Sequence, residues 1–182
     1  MLYELKNCRD ASPATYATSV ELSEKDGILT FAFSCAHSSC FCPHENYNDI
    51  HSEGDAVEVL IGSDPARKEY YEIELAPNGQ LMLALMVNHG DDENDEPILD
   101  INFVEDCFVT GKIETTKDGY KAILRVPKDK IRSGDGEIYF NCYRLDTDNG
   151  EERDRHLMAM IPTMRPKFHN PVSFGWLKDY FK

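Results

Sequence analysis

The sequence predicts an all-β protein, folded as an antiparallel two-sheet β-sandwich of jelly-roll type with little helix. Seven segments are rich in β-branched and aromatic residues, and several alternate apolar and polar side chains with the period of two expected of a strand. The pairs Asn78-Gly79 and Asp118-Gly119, which both favour tight turns, each separate two such segments. Helical periodicity is weak along the chain. Strands paired in this order are typical of sandwiches and barrels.

The first two predicted strands precede the hairpins. Residues 27–35 read GILTFAFSC, and alternation places Cys35 on the inward face with the large apolar side chains. Residues 55–62 read DAVEVLIG, in which Glu58 points away from the face of its two valine neighbours.

The remaining predicted strands follow the two turn signals. They cover residues 70–77, 80–87, 108–116, 120–127 and 137–145. Residues 89–97, HGDDENDEP, are predicted to form a charged loop between strands. Residues 127–134 are expected to form one short helical turn, because Pro127 favours a helix start and Gly134 a helix end.

The bulk composition limits the classes of function. The chain has 182 residues without a repeat or a linker, which predicts a single domain over residues 1–182. A net charge of −14 argues against nucleic-acid binding, because a phosphate backbone requires clustered Lys and Arg. No run reaches the roughly 18 apolar residues of a membrane span, so a membrane is not expected as a partner.

The N-terminus and the cysteines bear on the compartment. The first residues, MLYELKNCRD, lack the basic and apolar regions of a signal peptide. A cytoplasmic location is therefore expected, or an extracellular one if the sequence is a piece of a longer secreted protein. Six cysteines without a signal are expected to be thiols in a reducing compartment.

Residues 35–54, CAHSSCFCPHENYNDIHSEG, contain three cysteines and three histidines, which is enough for a zinc site. Structural zinc sites usually show two separated pairs of ligands, whereas the C-x₄-C and C-x-C spacings overlap here. The segment is therefore interpreted as a loop between two strands, with zinc binding as the alternative.

Four motifs occur in a fixed order. They are NDIHSEGDAVEVLIGSD (48–64), YYEIELAPNG (70–79), IYFNCYRLD (138–146) and KFHNPVSFGWL (167–177). In this order and spacing the sequence resembles the family 9 carbohydrate-binding modules, in their broader family-9-like form, over most of the chain. The resemblance implies a β-sandwich with a sugar site at one end, where two tryptophans clamp a sugar ring and polar side chains bind its hydroxyls.

The resemblance also assigns positions in the site. The first clamp tryptophan is replaced by Ser52, beside His51, and the second by Phe168. The family glutamate that binds hydroxyls corresponds to Glu58. A family arginine aligns with Glu74, which reverses the charge, and a family glutamine aligns with Tyr143. The implied site is therefore remodelled, with one clamp tryptophan absent.

Three further residues are candidates for ligand binding. His169 and Asn170 follow Phe168 in a loop closed by Pro171, where binding residues often lie, although the loop could instead seal the end of the sandwich. Trp176 is the only tryptophan and is either a stacking platform or a core residue of the last strand.

Residues 146–154, DTDNGEERD, suggest a cation site. The candidate ligands are Asp146, Asp148 and Asp154, and the cofactor would be structural Ca²⁺. The spacing does not match an EF-hand, and a solvated acidic loop is the alternative.

No catalytic motif is present: the sequence contains neither G-x-S-x-G, nor a glycine-rich phosphate loop, nor H-E-x-x-H. The predicted function is therefore a non-catalytic domain that binds a mono- or oligosaccharide end. The alternatives are a glycan hydrolase that uses acidic residues, and a protein-interaction module that has lost sugar binding.

Overall fold

Two antiparallel β-sheets form the frame of the protein. The computed structural model describes residues 1–37, 40–49, 54–131, 137–148 and 155–181. Within those ranges the first sheet has five strands, in the order β1 (Leu2–Glu4), β3 (Thr18–Lys25), β4 (Ile28–Ala36), β10 (Gly119–Pro127) and β9 (Thr110–Thr116). The predicted all-β fold class is confirmed.

The second sheet is larger. Its order is β2 (Lys6–Asn7), β12 (Arg155–Ala159), β11 (Tyr139–Thr147), β5 (Ala56–Gly62), β6 (Glu69–Leu75), β7 (Leu81–Asp91) and β8 (Pro97–Phe103), and the short strand β13 (Gly175–Trp176) also pairs with β11. Helix is limited to α1 (Lys128–Ile131), α2 (Leu177–Tyr180) and a 3₁₀ turn at Pro171–Ser173 in the described chain. None of these helices is long and apolar enough to cross a membrane.

The seven predicted strands are all present, with ends shifted by a few residues. Both predicted hairpins form: β6 and β7 are joined across Asn78-Gly79, and β9 and β10 across Lys117-Asp118, so that Gly119 is the first residue of β10. The charged loop is shorter than predicted, because β7 continues to Asp91 and β8 begins at Pro97. The predicted helical turn is α1, and residues 132–134 lie outside the described chain.

The main core lies between the two sheets. From β4, the alternating residues Leu29, Phe31, Phe33 and Cys35 are buried, as the sequence predicted for Cys35. They meet the valines and isoleucine of β5, which point inward from the second sheet. Alternation along each strand therefore assigns one face of both sheets to this core.

The other face of the second sheet is also covered. The chain between Met160 and Trp176 crosses it, and Phe174 packs against Tyr70 and Tyr139, with ring centroids 5.5 and 6.0 Å apart. As a result every residue of β5 and β11 is buried. Polar side chains on this covered face, Glu58 among them, are consequently removed from water.

Candidate functional site

A cavity of about 350 Å³ lies between the covered face of the second sheet and residues 166–169. Strands β5 and β6 supply its floor, and β7, β8, β11 and β12 supply apolar walls. The wall residues include Met86, Leu99, Ile101, Leu145 and Leu157. Charged side chains from Glu96, Arg155 and Lys167 also line the cavity.

The floor of the cavity holds three carboxyl groups. Glu58 of β5 lies directly opposite Glu74 of β6, and Glu72 lies two residues from Glu74, so all three share one face of the sheet. Their carboxyl oxygens lie within 4.8 Å of one another. The three residues are only 4–5% exposed. We call Glu58, Glu72 and Glu74 the carboxyl triad.

Burial and mutual repulsion change the acidity of this triad. Removal from water holds the pKa of Glu58 well above its usual range, and the neighbouring charges of Glu74 and Glu72 raise it further. The pKa of Glu74 is raised for the same two reasons, with Glu72 as the neighbouring charge. Glu58 and Glu74 therefore retain protons above the pH at which an exposed glutamate loses them.

Phe168 lines the cavity on the side opposite the sheet, and Tyr143 holds it there. The two rings are stacked, with centroids 4.3 Å apart and an interplanar angle of 25°. The Tyr143 hydroxyl donates a hydrogen bond of 3.0 Å to the backbone oxygen of Phe168 and accepts one of 2.9 Å from Asn141 Nδ2. Tyr143 is fully buried beneath this ring, so it positions Phe168 and does not itself line the cavity.

His169 also lines the cavity. Its Nε2 lies 3.3 Å from a carboxyl oxygen of Glu72, and its Nδ1 lies 3.0 Å from the Tyr70 hydroxyl. That hydroxyl also accepts a bond from Asn88 Nδ2. The imidazole is therefore held between the triad and the strand beneath it.

Lys167 brings a buried positive charge to the same cavity. Its side chain is 10% exposed, and its Nζ lies 3.7 Å from Asp91 and 3.6 Å from Asp95. Within the described chain this Nζ has no hydrogen-bond partner. Lys167 and Glu72 were missed at the sequence level, although the period-two spacing from Glu74 could have identified Glu72 as sharing its face.

Besides Tyr143, four of the predicted ligand-binding residues are not brought to this cavity or lie outside the described chain. Asn170 donates a bond of 3.3 Å to the backbone oxygen of Thr163 and precedes the 3₁₀ turn. Trp176 lies elsewhere, beneath the guanidinium of Arg67, which is 4.4 Å from the ring centroid. His51 and Ser52 fall outside the described residues.

Two of the predicted cation ligands lie together at the far end of β11. Asp146 is buried, forms an ion pair with Arg144 and lies 3.0 Å from His37 Nδ1. Asp148 accepts a bond of 2.6 Å from the Tyr16 hydroxyl and lies 3.2 Å from His156 Nε2. Asp154 is outside the described chain.

These described donors do not fit Ca²⁺ well. Calcium takes six to eight oxygen ligands, whereas the two carboxylates here are already bonded to cationic, imidazole or phenol groups, and a histidine nitrogen adjoins them. All six cysteines are free thiols, and among the described residues the close groups of metal-type side chains contain no cysteine.

The comparisons with known proteins were made on sequence and on fold. No family model matches the sequence, and no curated protein matches it. Solved structures do match the fold. One is a protein from Bacteroides uniformis named as a "putative carbohydrate-binding protein", with a TM-score of 0.69 and 14% identity, covering 97% of this chain and 84% of that one.

Two further matches are structures of a family 9 carbohydrate-binding module from Caldicellulosiruptor kristjanssonii. The one in complex with cellotriose gives a TM-score of 0.60 and 13% identity over 96% of this chain and 80% of that one. The one in complex with glucose gives 0.55 and 15% identity over 96% and 82%. The chain therefore has the β-sandwich fold of the family 9 carbohydrate-binding modules.

Proposed function

We propose that the protein binds a carbohydrate, either a monosaccharide or the end of an oligosaccharide, in the cavity above the carboxyl triad. The observation that carries the proposal is the Phe168 ring, which lines the same cavity as three buried carboxyl groups. Sugars have apolar C–H faces that stack on rings, and hydroxyls that require directional partners. A cavity of about 350 Å³ is also within the usual size range of small-molecule sites.

Polar groups that line the cavity support the proposal. The Lys167 ammonium donates no hydrogen bond within the described part of the chain, and the carboxyl groups of Glu58 and Glu74 line the same cavity. A buried polar group without a partner costs free energy. Sugar hydroxyls both donate and accept, so they can supply partners to groups of each kind.

The placement of the carboxyl groups favours binding over hydrolysis. Glycosidases place their two carboxyl groups on opposite sides of the bond that is cleaved. Here Glu58, Glu72 and Glu74 all belong to neighbouring strands on one face of the sheet. The glucose and cellotriose complexes of the same fold also support binding without catalysis.

Isothermal titration calorimetry against glucose, glucosamine and short oligosaccharides tests the proposal. Calorimetry is preferable to tryptophan fluorescence, because Trp176 lies outside the cavity. We expect saturable heat for at least one sugar. Phe168→Leu should then weaken binding about fivefold, because leucine fills the space without offering a ring face.

The matched control is Trp176→Phe, which alters an aromatic residue outside the cavity and should leave the affinity unchanged. Heat that does not saturate with any sugar would overturn the proposed function. An affinity that falls with Trp176→Phe but not with Phe168→Leu would move the site to the neighbourhood of β13.

A further inference from the structure

The cavity is unusually rich in negative charge for a sugar site. Its lining contains four carboxyl groups, those of the triad and Glu96, against the cationic side chains of Arg155 and Lys167. A neutral sugar gives no reason for three acceptor groups to converge on one point, since its hydroxyls are equally donors and acceptors.

We propose that this cavity selects a sugar that carries a protonated amino group over neutral sugars of the same size. The inference rests on the proposed function and names the ligand class of the same site. The amino group would bind to the carboxyl triad while the C–H face of the ring lies against Phe168.

The spacing of the triad suits an ammonium group. An ammonium has three donors and no acceptor, and charge-assisted N–H···O bonds measure about 2.7–2.9 Å. The separations of the three oxygens are at most 4.8 Å, and oxygens at the corners of a triangle with sides of 4.8 Å lie about 2.8 Å from its centre, that is 4.8 Å divided by √3. Oxygens that lie closer together can be reached at the same distance by a nitrogen above their plane. Three oxygens within 4.8 Å of one another can therefore each accept one bond from a single ammonium nitrogen.

The surrounding walls favour an organic cation over a metal ion. Calcium requires six to eight oxygens at about 2.3–2.6 Å, and magnesium retains several waters in an octahedral shell. Above the triad the cavity presents the apolar side chains of Met86, Ile101, Leu157 and Phe168. These apolar side chains complement the C–H groups of a sugar ring. With Glu96 and His169, the only other side chains of the described lining that could bind a metal, the triad still offers few ligands for a calcium shell.

The two cationic side chains of the lining do not neutralise the triad. Lys167 forms ion pairs with Asp91 and Asp95 on the β7–β8 hairpin, and these two aspartates balance its positive charge. Arg155 lowers the pKa of Glu58, but by less than Glu74 and Glu72 raise it. The floor of the cavity thus remains a site for positive charge.

Proton exchange gives a second signature of the same event. Burial and repulsion raise the pKa of Glu58 and Glu74, so in the empty site these two residues retain protons that an incoming ammonium would displace. Binding of an amino sugar should release protons and should strengthen as pH rises, until the amino group itself loses its proton. The titratable and charged groups that face the triad are Cys8, Tyr70, Glu96, Tyr143, Arg155, Lys167 and His169.

The test is calorimetry of the full chain with glucose, glucosamine and N-acetylglucosamine, at near-neutral pH and low salt. These sugars differ only at C2, which carries a hydroxyl, an ammonium or a neutral acetamide. We expect glucosamine to bind about tenfold more tightly than glucose, as one charge-assisted interaction allows, and N-acetylglucosamine to show no such gain. Titrations in buffers of different ionisation enthalpy should show proton release with glucosamine alone.

A variant separates charge from shape. Glu74→Gln keeps the volume of the side chain and removes one carboxyl group, so the ratio of the glucosamine affinity to the glucose affinity should fall severalfold. Glu21→Gln, at an exposed position in the first sheet, is the control and should preserve the preference. Melting curves of both variants confirm that the fold is intact.

The outcomes distinguish this inference from the proposed function. Equal affinity for glucose and glucosamine would overturn the amino-sugar preference and leave carbohydrate binding standing. A preference that disappears on addition of EDTA would assign the triad to a metal ion and overturn the inference. Absence of binding by all three sugars and by oligosaccharides would overturn both proposals.

Discussion

Glu58, Glu72 and Glu74 place three carboxyl groups on one covered sheet face, an arrangement that is unfavourable for the protein alone. Two of them lie directly opposite each other on adjacent strands, where like charges destabilise a sheet. The structure buries Glu58, because residues 160–176 cross the face on which it lies.

The burial of the triad predicts an unusual dependence of stability on pH. The folded protein holds protons on Glu58 and Glu74 to a higher pH than the unfolded chain does, because the folded pKa values are raised. The free energy of unfolding contributed by these groups is therefore fully present below the ordinary glutamate pKa of about 4.3 and is lost as pH rises through the folded values. The slope is at most about 1.4 kcal/mol per pH unit for each extra proton retained.

Urea denaturation at several pH values measures this effect. Glu74→Gln should flatten the decline above the ordinary glutamate range and should be more stable than the unsubstituted protein at the upper end. Glu21→Gln, which removes an exposed carboxylate, should follow the unsubstituted profile. Parallel profiles for all three proteins would contradict the assignment of raised pKa values to the triad.

Single residues also show where sequence reasoning reached its limit. Tyr143 was expected in the site by alignment with a family glutamine, and the structure places it one layer below, as the support of Phe168.

Asp146 was expected as a cation ligand. Alternation along β11 puts Arg144 on the same face two residues away, and the buried ion pair between them is a partner that a loop motif alone does not reveal.

At the level of elements, the sequence predicts the strands that have a strong apolar alternation and a turn signal beside them. Strands β4 to β7 and β9 to β11 meet that description. Strand β8 (Pro97–Phe103) does not, because it follows an acidic loop and its residues are half-buried or exposed. Strand β3 was also not predicted from the sequence. A turn signal was present, because Asp26-Gly27 joins β3 to β4 with a positive φ at both residues.

The β9–β10 hairpin depends on a glycine that the register makes necessary. Gly119 pairs with Ala36 of β4 and with Thr116 of β9, and a Cβ at this position would overlap the backbone oxygen of Cys35. Gly119→Ala should therefore lower the free energy of unfolding by more than about 2 kcal/mol, since backbone has to move. Chemical denaturation measures the loss.

Gly79→Ala provides the comparison for that hairpin glycine. Gly79 has a φ of +92°, and a Cβ added at this position would have no atom within 4 Å. Alanine there therefore adds backbone strain without an overlap. The expected loss is about 1 kcal/mol. Equal losses for the two variants would show that conformational strain, and not contact with β4, explains the requirement at Gly119.

The whole molecule is asymmetric, and the asymmetry explains where the proposed site lies. The first sheet buries one face, whereas the second buries the core face and most of the opposite one. The alternation of apolar and polar residues predicts the core faces from the sequence alone. Burial of the opposite face of the second sheet depends on where residues 160–176 cross it, which local sequence patterns do not specify. The family resemblance identified Phe168 and Glu58 as site residues, but not Glu72 or Lys167.

That architecture predicts how ligand binding changes the dynamics of the protein. A sugar bound in the cavity would bridge the floor formed by β5 and β6 and the crossing segment that carries Phe168, so local openings that separate them become less frequent. Hydrogen exchange measured by mass spectrometry, with and without saturating sugar, should show slower exchange in peptides covering residues 163–170 and the β5–β6 hairpin. Peptides from β9 and β10, on the far sheet, should be unchanged at short exchange times.

In Phe168→Leu the protection of residues 163–170 should shrink in proportion to the lost affinity. Protection confined to the first sheet, or to the segment around Trp176, would show that the ligand binds somewhere other than above the carboxyl triad.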